Sequence, residues 1–167
     1  MSMFVVKRDG ERQKVAFDKI TKRLENLCLN IEPVLKPDDV DPTIVAQKVT
    51  AGVYSGVTTR ELDNLAAETA AYMATTHPGY GALAARIAIS NLHKETEGNF
   101  ANTVEKMYTY INPKTQEKSP LIADDVYKIV MDNKDKLEAA IDYNRDYQYD
   151  FFGIKTLERS YLIRLSG

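Results

Sequence analysis

The residues best suited to chemistry stand near the front of the chain, and they are cations. Lys7 and Arg8 precede an Asp9-Gly10 pair, Arg12 and Lys14 follow it, and Lys19 comes a few residues later. Such a set suits an anion. A nucleoside triphosphate carries about four negative charges, and its site needs several cationic groups with N–H donors from a turn or helix N-terminus. Lys19 falls in the first turn of an expected helix, beside free N–H groups. Strand alternation puts Lys7 and Arg8 on opposite faces, so only part of the set converges. The plainer reading is a charged hairpin edge that stays solvated and resists pairing with other chains. Spacing alone leaves both open.

Covalent chemistry has no comparable support. The sequence contains no Gly-x-Ser-x-Gly, no Walker phosphate loop, no His-Glu-x-x-His and no Gly-x-Gly-x-x-Gly. The single cysteine, Cys28, shares a helical apolar face with Ile20, Leu24 and Leu27 and reads as a small buried hydrophobe, without a base to activate it. One thiol forms no intramolecular disulfide, which suits a reducing compartment. His77, before Pro78, reads as a helix cap, and His93 is singled out only by its neighbour Lys94. Asp124-Asp125 fits a helix N-terminus better than a metal site, so no metal ligand and no catalytic residue is expected.

These residues must be positioned by a chain of 167 residues, enough for one domain or a small domain with an extension. With 44% hydrophobic and 28% charged residues the composition is globular, and a net charge of −2 argues against a nucleic-acid or membrane partner. Charge is uneven, however. Residues 1–23 hold seven cations and three acids (+4), whereas residues 124–150 hold four cations and eight acids (−4), so an anion docks at the front. No apolar run reaches the roughly 20 residues that span a bilayer, and no signal-peptide pattern is present.

Phe4 to Arg8 and Arg12 to Val15 read as a hairpin, which needs a third strand or a cover. Asp18 is expected to cap a first helix. Pro33 and Pro37 place a loop before Asp41-Pro42, which opens a second helix, Thr43 to about Tyr54, with Ile44, Val45, Val49 and Val53 as its stripe. Thr58 and Glu61 form a capping box for a third helix, with Leu62, Leu65, Ala66, Thr69, Ala70 and Met73 on one face. An alanine-rich fourth helix is expected from about Tyr80 to Glu97. Further on, Phe100 to Ile111 reads as a helix, 121–141 as one or two helices, 142–153 as extended or irregular, and Thr156 to Leu165 as the first turns of something larger. The aromatics Tyr147, Tyr149, Phe151, Phe152 and Tyr161 call for a surface to pack on, as in a piece of a longer protein.

The motifs carry a resemblance. Val6-Lys7-Arg8-Asp9-Gly10 with Phe17-Asp18-Lys19-Ile20 resembles the opening of an ATP-cone. Tyr54-Ser55-Gly56-Val57-Thr58-Thr59, Leu65-Ala66-Ala67-Glu68-Thr69-Ala70-Ala71, Ser90-Asn91-Leu92-His93-Lys94-Glu95-Thr96 and Lys155-Thr156-Leu157-Glu158-Arg159-Ser160-Tyr161-Leu162 are similar to the large subunit of eukaryotic-type class I ribonucleotide reductases. The resemblance implies a mainly α fold. Over 1–97 it implies an ATP-cone, a hairpin or three-stranded sheet capping a four-helix bundle, and over 98–167 a helical region leading to a catalytic barrel that the chain lacks. It implies an allosteric region where ATP activates and dATP inhibits, with Mg²⁺ assisting. It also implies a cytoplasmic parent oxidoreductase that makes deoxyribonucleotides, a radical-generating small subunit as partner, and nucleotide-dependent self-association.

Carried over by position, the nucleotide contacts are Lys7, Arg8, Gln13, Lys14, Val15, Ala16, Phe17, Asp18, Lys19, Thr59, Asp63 and Lys94. Lys7, Arg8, Lys14 and Lys94 would neutralise phosphates, Val15 and Phe17 would pack on the base, and Asp63 would read the sugar or a cation. Gln13 stands where relatives are expected to carry Glu, and Ala16 is a variable position. Two alternatives remain: the cone of a transcriptional repressor, whose zinc ribbon one cysteine cannot build, and a helical interaction module with no nucleotide.

Overall fold

The computed structural model describes residues 3–165; residues 1–2 and 166–167, the outer ends of the two expected regions, lie outside the described residues. The described chain is mainly helical with one small sheet. β1 (Phe4–Val6) pairs antiparallel with β2 (Arg12–Lys14), Val5 opposite Gln13. Gly10 closes the turn at φ 85°, a conformation that costs a glycine little. The third strand is β3 (Val57–Thr58), which joins β1 in parallel and completes the order β2-β1-β3. Val5 and Val57 are the buried pair in that contact.

α1 (Phe17–Leu29) begins one residue before Asp18, so Asp18 is not its cap. The Val15 N–H still bonds the Met3 carbonyl, and the chain turns helical directly, with the Lys19 N–H on the Ala16 carbonyl. Ala16 provides no side-chain cap, and the Asp18 carboxylate instead faces the positive helix end from the first turn. α2 (Pro42–Gly52) starts as expected, its cap Asp41 accepting from the Thr43 N–H at 2.8 Å. It ends short of Tyr54. Val45, Ala46 and Val49 are buried, whereas Ile44 is exposed because the buried stripe runs through the residues beside it.

α3 (Thr59–Met73) carries the capping box: Thr58 Oγ1 accepts from the Glu61 N–H at 3.1 Å, and Glu61 Oε2 accepts from the Thr58 N–H at 2.8 Å. α4 (Pro78–Glu95) is capped by His77, whose Nδ1 accepts from the Gly79 N–H, so the helix begins and ends slightly earlier than the Tyr80 to Glu97 expected. α3 and α4 pack along their alanines, Ala66, Ala67 and Ala70 against Ala84 and Ala88, which lets two backbones approach closely. α1 packs on α2 and α4, and Leu83, Ile87 and Ile89 are fully enclosed. Buried Arg86 donates to the carbonyls of Leu27 (2.8 Å), Cys28 (3.2 Å) and Pro33, closing the C-terminal end of α1. Cys28 is buried, and burial pushes its thiol up to about 11, consistent with an inert packing residue.

α5 (Phe100–Tyr108) ends before Ile111, which leaves the helix to form an antiparallel bridge with Lys118. Residues 121–141 form two helices, α6 (Asp124–Asp132) and α7 (Lys134–Ala140). The segment 142–153 is more regular than expected. A 3₁₀ segment (Tyr143–Gln148) is capped by Asp142, and α8 (Phe151–Ser160) is capped by Asp150, whose Oδ1 accepts from the Gly153 N–H at 2.6 Å. The aspartates that suggest irregular chain are helix caps. α8 packs on α4, Ile154 joins the buried cluster of α1–α4, and Tyr147 and Phe151 pack against it. None of the described helices is long and apolar enough to cross a membrane.

Candidate functional site

Two hollows meet under the sheet edge. The inner one, about 160 Å³, lies between β1, the β2–α1 junction and α3; its apolar wall includes Val5, Val15, Ala16, Ile20, Leu62 and Ala66. Gln13, Lys14, Lys19, Arg23 and Asp63 supply its polar groups. The outer one, about 560 Å³ and more open, is lined by Val6, Lys7, Arg8, Thr58, Thr59, Arg60, Lys94 and Glu95. Thr59, the first residue of α3, lines both, and Asp63 stands one turn further along.

Asp63 is only 4% exposed and is the hub of the charges. Arg23 Nη1 donates to its Oδ1, while Arg8 Nη2 lies 3.5 Å and Lys94 Nζ 3.9 Å from its Oδ2. Arg8 Nη2 also donates to Asn91 Oδ1 at 2.5 Å and lies 3.5 Å from Glu95 Oε1, a buried oxygen with no hydrogen bond of its own. Arg60 Nη2 bonds Glu95 Oε2 at 2.5 Å. Four cations (Arg8, Arg23, Arg60, Lys94) thus share two carboxylates (Asp63, Glu95), an excess of two positive charges. The surplus shows in the lysine. Burial first, then Arg23 and Arg8, bring the Lys94 amine down to about 8. Burial and Arg8 bring Arg23 down to about 10. An anion entering the outer hollow relieves this strain, and an apolar ring fits the inner one.

An ATP cone domain match covers residues 3–95, which contain every residue lining both hollows. The chain belongs to the ATP-cone family. Over 165 residues, 99% of this chain, the cone and the helices after it are 60% identical to the ribonucleoside-diphosphate reductase large subunit of Dictyostelium discoideum. They are 59% identical to the large chain of Schizosaccharomyces pombe and 56% to the large subunit of Arabidopsis thaliana, again over 99% of the chain. The chain spans about a fifth of the length of these relatives (19%, 20% and 20%).

Of the residues expected in the cone's site, Lys7, Arg8, Thr59 and Lys94 line the outer hollow, and Gln13, Lys14, Val15, Ala16, Lys19, Thr59 and Asp63 the inner one. Lys7 and Arg8 lie beyond the last residue of β1, in the turn, so strand alternation does not separate them. Lys7 also bonds Glu11 Oε2 at 2.6 Å, which raises the pKa of its amine. Phe17 and Asp18 line neither hollow: both sit in the first turn of α1 and are exposed. Arg23, Arg60, Asn91 and Glu95 were not anticipated. A signal existed for Arg23, which repeats Lys19 at helical spacing, and for Asn91 and Glu95, which flank Lys94 on α4. The same last turn of α4 reaches the other way. His93 Nε2 lies 2.8 Å from Asp146 Oδ2, and its ring meets Tyr147 edge-on with centroids 5.6 Å apart, both in the 3₁₀ segment.

Proposed function

We propose that the cone is the nucleotide-sensing region of a ribonucleoside-diphosphate reductase large chain. In this reading ATP sustains the reduction of ribonucleotides for DNA synthesis, and dATP shuts it off. The similarity to reductase large chains over 99% of this chain supports the parent, and those relatives are about five times as long. The catalytic barrel and its cysteines belong to that further sequence, as does contact with a radical-generating small subunit. Effector-dependent self-association and a cytoplasmic setting follow from the same reading, and α1–α4 are taken as the cone's four-helix bundle.

The observation that carries the reading is the junction of the two hollows at Thr59 and Asp63. The inner hollow accepts adenine against Val15, Ala16 and Ile20, while Arg8, Arg60, Lys94 and Lys7 neutralise phosphates in the outer one. Between them Asp63 meets the sugar, the only part in which ATP and dATP differ. Gln13, Lys14 and Lys19 close the rim; Phe17 and Asp18 act from the first turn of α1 by fixing its start. Mg²⁺ fits as the nucleotide's own counter-ion. Mg²⁺ is commonly held by phosphates with one or two carboxylates, and Glu95 is the carboxylate that lines the outer hollow.

One missing hydroxyl is worth on the order of 1–3 kcal/mol. A switch needs the two effectors to favour different arrangements, and α2–α4 are the elements that repositioning the sugar would move. A thermal-shift titration with ATP and with dATP, Mg²⁺ present, tests the reading. Both should stabilise, by about 2.7 kcal/mol at a hundredfold excess over Kd. No stabilisation by either would leave a helical interaction module, and the 56–60% identity to reductase large chains disfavours the cone of a repressor.

A further inference from the structure

Arg23 is the one site cation to which the reading above gives no task, yet it pairs directly with Asp63. It projects from α1 one turn after Lys19 and lines the inner hollow, not the outer. Its Nη1 holds Asp63 Oδ1, and its Nη2 lies 3.5 Å from Ser90 Oγ on α4. The other oxygen, Oδ2, has looser company: Arg8 at 3.5 Å and Lys94 at 3.9 Å. The two oxygens of one buried carboxylate therefore face different hollows' cations. Oδ1 belongs to α1 and the inner hollow; Oδ2 is shared by two cations that line the outer one.

This asymmetry matters when a triphosphate arrives. Arg8 and Lys94 are the groups that a phosphate attracts, and neither is held tightly by Oδ2. As they turn outward, Arg23 becomes the remaining counter-charge of a carboxylate that is almost fully buried, and Oδ2 is released. A carboxylate oxygen accepts, and a ribose hydroxyl donates, so the freed Oδ2 is a reader of the sugar. Without Arg23 the carboxylate is free to rotate, and Oδ2 no longer points at the sugar's 2′ position. A guanidinium suits the task because its rigid planar fork presents Nη1 to Asp63 Oδ1 and Nη2 towards Ser90 Oγ in one fixed geometry, which a flexible ammonium does not impose.

We propose that Arg23 is a positioning residue for effector discrimination: it fixes Asp63 at the junction of the hollows so that the site separates a ribonucleoside triphosphate from its 2′-deoxy form. This rests on the effector-site reading given above. A residue that only supported the fold would weaken all nucleotides alike, and so would one that only attracted phosphate.

The test is calorimetric titration of the full chain with ATP and with dATP, both with Mg²⁺, in the wild type, Arg23→Gln, Arg23→Lys and Ser90→Ala. Arg23→Gln should weaken ATP about tenfold while changing dATP by less than about twofold, so that the ratio of the two dissociation constants shifts about fivefold or more. Arg23→Lys should fall between, and Ser90→Ala, which keeps the charge but loosens the fork, should shift the ratio in the same direction by less. Arg23→Gln combined with Asp63→Asn should shift the ratio no further than Asp63→Asn alone. Equal weakening of both nucleotides, or an unchanged ratio, overturns the proposal while leaving the effector site standing. Should Arg23→Gln fold poorly, the ratio in Ser90→Ala decides by itself. A wild-type chain that binds neither nucleotide overturns both the proposal and the reading beneath it.

Discussion

Raising the pH from 7.5 to 9 should strip this cone of most of its affinity for ATP, and Lys94 should be the reason. Its amine titrates at about 8, lowered by burial and then by Arg23 and Arg8. A bound triphosphate favours the ammonium form, so the complex holds the proton to higher pH than the free protein does. The sign follows: affinity is constant below about 8 and falls as pH rises through that value. The protonated fraction of the free amine drops from about three quarters at pH 7.5 to about one tenth at pH 9, so binding weakens about eightfold. Arg23, at about 10, and Cys28, at about 11, titrate above this window. The phosphates of ATP are already ionised throughout it. Isothermal calorimetry at pH 8 in two buffers of different ionisation heat should show uptake of about half a proton per ATP bound. Lys94→Gln should bind more weakly at pH 7.5 and lose the slope. If Lys94→Gln keeps the wild-type slope, or if affinity rises with pH, the crowding of cations around Asp63 does not govern binding.

Two further outcomes follow from the packing. Arg86→Met removes the donor to three carbonyls at the end of α1 and in the loop after it, and should cost about 2–4 kcal/mol in urea denaturation; a loss under about 0.5 kcal/mol would mean that water replaces the guanidinium. His93→Ala frees Asp146 and Tyr147 from α4, so amide hydrogen exchange across Tyr143–Gln148 should quicken about fivefold, with ATP affinity unchanged; slower or equal exchange would show that α8 alone pins that segment.

Much of this was legible because local chemistry and tertiary demand agree. Asp9-Gly10 dictates the turn and Thr58 and Glu61 the start of α3, and both signals are satisfied within a few residues, whereas His77-Pro78-Gly79, which reads as the end of α3, also opens α4. Asp18 misled because a capping residue type next to a helix start is ambiguous by a residue or two, and β2 delivers the chain to α1 at Ala16. The segment from Asp142 to Gly153 misled for the opposite reason. Its aspartates do cap, but the helices they cap are stabilised by Ile154, Tyr147 and Phe151 on a core formed far upstream, which no local window contains. The candidate site divides along the same line. Residues contiguous in sequence, such as Gln13 to Ala16, are found by motif. Arg23 and Glu95 enter only because α1 and α4 converge on Asp63, a meeting that periodicity permits but does not announce.

The place of Ile154 has a practical side. Anyone wishing to graft this sensor onto an unrelated enzyme would naturally take the residues from the first strand to the end of α4 and stop there. Such a transplant would bare the flank of α4 on which α8 lies, inviting aggregation and loosening the very helix that carries Asn91, Lys94 and Glu95. The transferable unit runs to Ser160.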